Sequence, residues 1–129
     1  MQQDKPIVAI TMGDAAGVGP EIIVGAWNET VVHQWCRPVV FGHPEILRRA
    51  VRFWRTGVRV VEIDSPDRAE PTPGAIPCIP CGSDDVLEVP PGTIDARAGR
   101  AAYEAVVAAA RLALSGDVAA ITTGPLHKE

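Results

Sequence analysis

The sequence predicts an α/β fold with a mainly parallel sheet and flanking helices. Three observations predict it. Short, mainly apolar runs recur along the chain, at residues 7–10, 38–41, 58–63 and 118–122. Segments with helical apolar spacing separate most of them. Turn residues punctuate each change of period. Alternating strand and helix signals of this kind belong to parallel sheets covered by helices on their faces. The length, 129 residues with 47% hydrophobic content, suffices for one modest domain with a core.

The elements follow in order. Residues 7–11 are the first strand. Residues 20–27 are a helix with Ile22, Ile23, Ala26 and Trp27 on its apolar face, and Pro20 and Glu21 suit its first turn. Asn28, Glu29 and Thr30 end it, and residues 31–35 form a further short helical turn. Residues 38–41 are the second strand. Residues 43–54 are an amphipathic helix with Ile46, Leu47, Ala50, Val51 and Trp54 on one side, and Gly57 punctuates its end. Residues 58–63 are the third strand.

Residues 64–93 hold seven prolines and three glycines. They read as an irregular covering segment or a small antiparallel addition, with short edge strands at 75–79 and 86–89. Residues 93–115 are the longest helix, on an alanine-rich stripe of Ala98, Ala102, Ala109 and Ala110 with Val106. Gly116 and Asp117 stop it. Residues 118–122 are the last strand, and residues 123–129 are the loop that follows.

Several function classes are excluded at once. A net charge of −4 argues against a nucleic-acid surface. Arg48, Arg49, Arg52 and Arg55 have helical spacing and read as a solvated helix face. No apolar stretch approaches the roughly 18 residues of a membrane span. The first residues lack the charged-then-apolar design of a secretory signal, so the expected location is cytoplasmic. The three cysteines, Cys36, Cys78 and Cys81, suggest no disulfide framework. Cys78 and Cys81 form a CxxC, expected in a loop between Pro77 and Gly82. It lacks the strand-then-helix setting of a redox pair and the further ligands of a zinc site.

The most suggestive polar residues sit after the first and last strands. The first loop carries Gly13, Asp14, Gly17 and Gly19. It lacks the Lys-Ser/Thr of a Walker A loop, and its G-x-x-x-G-x-G spacing is not G-x-G-x-x-G. Such a glycine loop before a helix lets backbone N–H groups approach an anionic ligand. It equally serves a structural turn that needs positive φ. Asp14 either caps the following turn or faces a cofactor hydroxyl. The last loop carries Thr122, Thr123, His127 and Lys128, and His with Lys at a strand end suits a phosphate or carboxylate. Ligands of parallel sheets bind at the carboxyl ends of strands, where both loops lie, so the two are expected to line one crevice. His33 and His43 read as structural. No serine lies in a nucleophile elbow, and the three histidines fall on separate elements.

Two stretches together resemble one known family. Residues 7–21, IVAITMGDAAGVGPE, are similar to the opening signature of 4-hydroxythreonine-4-phosphate dehydrogenase and its relatives. Residues 99–129, GRAAYEAVVAAARLALSGDVAAITTGPLHKE, resemble that family's long helix, strand and following loop. The opening motif also resembles the loop of the isocitrate and isopropylmalate dehydrogenases, whose fold the family shares.

The resemblance implies an NAD- and divalent-metal-dependent (Zn, Mg or Co) oxidoreductase of pyridoxine biosynthesis. Such an enzyme oxidises a secondary alcohol, and the β-keto acid formed loses CO2. It implies a homodimer of two-domain subunits, of which residues 1–129 are an N-terminal α/β portion. By this resemblance Gly13, Asp14, Gly17 and Gly19 bind the cofactor, and Thr123, His127 and Lys128 bind a phosphorylated hydroxy acid. No residue of the chain inherits the family's metal-ligand roles, and no catalytic residue is assigned.

Ala15 stands where the family loop has proline, and His127 where some relatives have asparagine. Two rivals remain. One is a dihydrodiol dehydrogenase of the terephthalate type, within the same family. The other is a non-enzymatic ligand-binding α/β domain. The 129-residue chain alone is expected to lack turnover, to expose apolar surface and to associate.

Overall fold

The computed structural model describes residues 5–125. Five strands form one sheet: β1 (Ile7–Thr11), β2 (Arg37–Gly42), β3 (Arg59–Glu62), β4 (Ala75–Pro80) and β5 (Ala120–Thr123). The order is β3-β4-β2-β1-β5, and every neighbouring pair is parallel. The helices are α1 (Gly19–Trp27), α2 (Thr30–Trp35), α3 (Pro44–Trp54) and α4 (Ala96–Leu114). The predicted mainly parallel sheet is the one observed.

Each face of the sheet carries its own core. On one, Ile23, Val24 and Trp27 of α1 and Leu47, Ala50 and Val51 of α3 pack on Val40, Ile76 and Cys78. On the other, Ala105 and Ala109 of α4 pack with Ala9, Val39, Phe41 and Val118. Fully buried side chains such as Trp27, Phe41, Leu47 and Ile76 each stabilise the fold by about 1.5–3 kcal/mol. The alanine stripe brings α4 close to the sheet. Trp27 also donates its indole N–H to the Thr72 carbonyl at 2.7 Å, which ties the proline-rich segment to α1.

Local chemistry sets the helix ends. His43 caps α3 by accepting the Glu45 N–H on Nδ1 at 3.1 Å. Asp95 caps α4 by accepting the Arg97 N–H at 2.8 Å. Hydrogen bonds from Arg97 hold the Asp95 carboxyl down to about 2. At the far end of α4, Gly116 has φ +86°, and Asp117 N–H reaches the Leu112 carbonyl at 2.8 Å, a Schellman closure.

Four sequence expectations are corrected. Strand β4 is not an edge strand of an antiparallel addition: it is an interior parallel strand between β3 and β2. Its prolines fit because Pro77 pairs only with β3, β2 joining from Cys78 onward. Residues 86–89 are not a strand, because Asp84–Glu88 form a 3-10 turn. Gly57 does not close α3: Arg55 takes the left-handed conformation there, at φ +53°. The CxxC is not a loop pair. Cys78 lies buried inside β4, and Cys81 follows the strand directly. Burial pushes the Cys78 thiol up to about 12 and the Cys81 thiol up to about 11, which suppresses thiolate chemistry at both. The arginine run is the solvated helix face expected, with Arg49, Arg52 and Arg55 exposed, and it carries surface ion pairs. Arg48 pairs with Glu62 at 2.9 Å and Arg52 with Glu45 at 3.1 Å.

Among the described residues, no helix is long and apolar enough to cross a membrane. Among the described residues strand β5 pairs only with β1, and all four of its residues are exposed. An uncovered strand edge is a template for pairing with another chain. The purified 129-residue chain is therefore expected to self-associate in sedimentation velocity at micromolar concentration. Ile121→Lys on β5 should shift it toward monomer. A monodisperse, cooperatively melting monomer of the unsubstituted chain would contradict this.

Candidate functional site

Strands β1 and β5 run parallel in register, with Thr11 opposite Thr123. Their carboxyl ends therefore deliver the two suspected loops to one place. The loops touch through two backbone hydrogen bonds. Asp14 N–H donates to the Pro125 carbonyl at 3.0 Å, and Gly124 N–H donates to the Thr11 carbonyl at 2.8 Å. The two loops are thus joined directly through their backbones, and this junction is the candidate site. It lies where the sheet order reverses: from β1 the chain runs outward to β2, β3 and β4, then α4 returns it to the far side of β1. Parallel α/β sheets open their ligand crevices at such reversals.

Met12 is the knot of this arrangement, and the sequence pattern did not single it out. It is 3% exposed. Its N–H donates to the Phe41 carbonyl at 3.2 Å. Four glycines press on it or beside it. A Cβ on Gly19 would collide with the Met12 carbonyl oxygen, and one on Gly124 would sit 2.6 Å from the same atom. A Cβ on Gly13 would collide with the Pro125 carbonyl oxygen, and Gly13 itself has φ +74°. A Cβ on Gly42 would sit 2.6 Å from Met12 Cε. Real Cβ atoms do not come so close to backbone, so Gly13, Gly19 and Gly124 are required for loop-on-loop packing.

Gly17 differs. It is exposed, its φ is not positive, and a Cβ there would meet only Asp14, at 3.4 Å. Neither packing nor backbone conformation demands a glycine. Beside it Val18 is 60% exposed and begins α1 with no side-chain cap. Asp14 takes the capping role: Oδ1 accepts the Ala16 N–H at 2.8 Å, and its carbonyl accepts the Gly17 N–H at 3.0 Å. The Gly17–Val18 corner is the exposed part of the loop.

Thr123 is exposed at the end of β5, beside Gly124. His127 and Lys128 lie outside the described residues. Thr11 is fully buried and its Oγ1 has no hydrogen-bond partner. His33 and His43 hold structural positions. His33 Nε2 lies 3.0 Å from the Trp27 carbonyl, and His43 joins its cap to Asp84 Oδ1 at 2.7 Å. Among the described residues, no group of three or more His, Cys, Asp or Glu side chains stands close enough to hold a metal ion.

Comparison with known proteins places these loops in context. The sequence profile of a family described as pyridoxal phosphate biosynthetic protein PdxA matches residues 34–129. A protein of Halalkalibacterium halodurans, provisionally named D-threonate 4-phosphate dehydrogenase, is 39% identical over 97% of this chain and 37% of its own length. The crystal structure of a 4-hydroxythreonine-4-phosphate dehydrogenase from Burkholderia phymatum superposes with a TM-score of 0.88 at 39% identity. That match covers 96% of this chain and 37% of that one. A terephthalate 1,2-cis-dihydrodiol dehydrogenase from Burkholderia xenovorans matches more distantly, at a TM-score of 0.72 and 28% identity, over 96% of this chain and 35% of that one. The chain spans less than two fifths of the length of these relatives.

The packing around Met12 separates the glycines by experiment. Gly19→Ala should destabilise the chain by several kcal/mol, because the collision is with backbone that cannot yield. Gly17→Ala should shift stability by less than about 1 kcal/mol. Thermal melting of the two variants checks both values, and equal losses would refute the distinction.

Proposed function

We propose a function from one premise: this chain belongs to the PdxA family of pyridoxal phosphate biosynthetic proteins. Our reading is that it forms the N-terminal portion of an NAD-dependent decarboxylating dehydrogenase acting on a 4-phosphorylated hydroxy acid, foremost 4-hydroxythreonine 4-phosphate. The observation that carries it is the joined pair of loops at the carboxyl ends of β1 and β5. The names of the first two relatives above differ in the acid but share the 4-phosphate. We further propose a cytoplasmic homodimer. Three cysteines, none in a disulfide, agree with that location.

The residues divide by task. Gly13, Asp14 and Gly19 build and hold the cofactor loop, and Gly17 with Val18 meets the cofactor. The start of α1 has no side-chain cap, so the Gly19 and Glu21 N–H groups are the donors it offers a polar group, Pro20 having none. A nicotinamide dinucleotide bound at this corner supplies the hydride acceptor. Thr123 is exposed on the neighbouring strand, and its hydroxyl is the donor we assign to the substrate. His127 and Lys128 follow it in the sequence, and their side chains are donors suited to a phosphate. The described residues do not fit a divalent metal, so none is assigned to one and no step is derived through it.

A bulky substitution at the open corner tests the reading. Gly17→Trp should lower NAD affinity at least tenfold, read by titration calorimetry, while the melting temperature stays within a few degrees of the unsubstituted protein. Retained affinity with an intact fold would mean that the loop is only a turn.

A further inference from the structure

The glycine loop is held on its outer side by a second segment. The connection from β4 to α4 crosses beside it and donates one hydrogen bond, from Gly92 N–H to the Ala16 carbonyl at 2.7 Å. That bond reaches the residue directly before Gly17. The segment that delivers it is built to be stiff. Val86 and Val89 are buried in the core below the loop, at 1% and 6% exposure. Two consecutive prolines, Pro90 and Pro91, then fix the backbone with no N–H of their own. The Thr93 hydroxyl closes the turn by donating to the Pro90 carbonyl at 2.7 Å. A small cavity of about 80 Å³ lies between this finger and the loop, lined by Ala15, Ala16, Gly17, Val89 and Pro91 among others.

Gly92 has φ +79°, and a Cβ there would meet nothing within 4 Å. Space therefore does not demand glycine at this position, but backbone conformation does. Such a backbone is open to glycine, tolerated by asparagine, and costly for other L-residues.

We propose that Gly92 is a positioning residue: held by the anchored finger, its N–H fixes Ala16 and so sets the Gly17–Val18 corner for the dinucleotide. The dinucleotide part rests on the function proposed above. The loop part does not.

The side-chain space makes the test clean, because Gly92→Ala acts through φ alone. Amide exchange is measured at Ala16 and Gly17, whose N–H groups bond Asp14, and at Val40 and Ile76 in the sheet as a reference. Gly92→Ala should speed exchange at Ala16 and Gly17 about tenfold, with the sheet unchanged. Gly92→Asn should restore most of the protection. NAD affinity should fall and recover in parallel.

Unchanged exchange at Ala16 and Gly17 would overturn the positioning role. So would a uniform rise that includes Val40 and Ile76, which is a loss of global stability. An unsubstituted protein that fails to bind NAD would overturn the cofactor reading, and exchange alone would then decide the role of Gly92.

Discussion

The close approach of three backbone segments around Met12 is the constraint on which the rest of the site depends. Gly19 brings the start of α1 against the Met12 carbonyl, and Gly124 brings the exit of β5 against the same atom. Neither approach is available to a residue with a Cβ. The consequence runs outward in steps. The start of α1 is pulled toward the carboxyl end of β1, so α1 lies along the sheet and buries Ile23, Val24 and Trp27. The exit of β5 is pinned beside the first loop by the Gly124 and Asp14 hydrogen bonds. Two loops more than a hundred residues apart in sequence become a single surface. Among the described residues of that surface, Gly17, Val18 and Thr123 stay exposed.

Much of this was legible in advance, for physical reasons that can be named. The strands β1 and β2 are continuous apolar runs, because they are covered on both faces. The long helix shows its alanine stripe, and its stop at Gly116 follows from the need for positive φ. Strand β4 was misread as an edge because proline usually avoids interior strands. Here the stagger between neighbours leaves Pro77 with one partner strand, and that stagger is a tertiary property. The end of α3 at Trp54 was legible, but its left-handed closing residue was expected at Gly57 and is Arg55. Tertiary packing overrode the local preference.

The site was half legible. Glycine spacing marked the first loop, and a strand-end cluster marked the last. Their juxtaposition followed from the rule for parallel sheets. The division of labour among the glycines did not. Five of them look alike in sequence, yet three answer to the backbone, one to the Met12 side chain, and Gly17 to neither. Met12 itself carries no chemical signal: its importance is the space that others must leave for it. The role of Gly92 was equally hidden, because a lone glycine after two prolines reads as an ordinary turn.

The nature of each glycine's neighbour also determines how the protein can change over generations. At Gly42 the crowding atoms belong to the flexible side chain of Met12. A larger residue there has a second-site suppressor available, a smaller residue at position 12. At Gly25 the neighbour is the ring of Trp54, and the same trade is open. At Gly13, Gly19 and Gly124 the neighbours are carbonyl groups, which no substitution elsewhere can shrink. Those three positions have no compensating partner. A suppressor screen begun from Gly42 variants has a route back to function, whereas one begun from Gly19 variants can recover only true revertants.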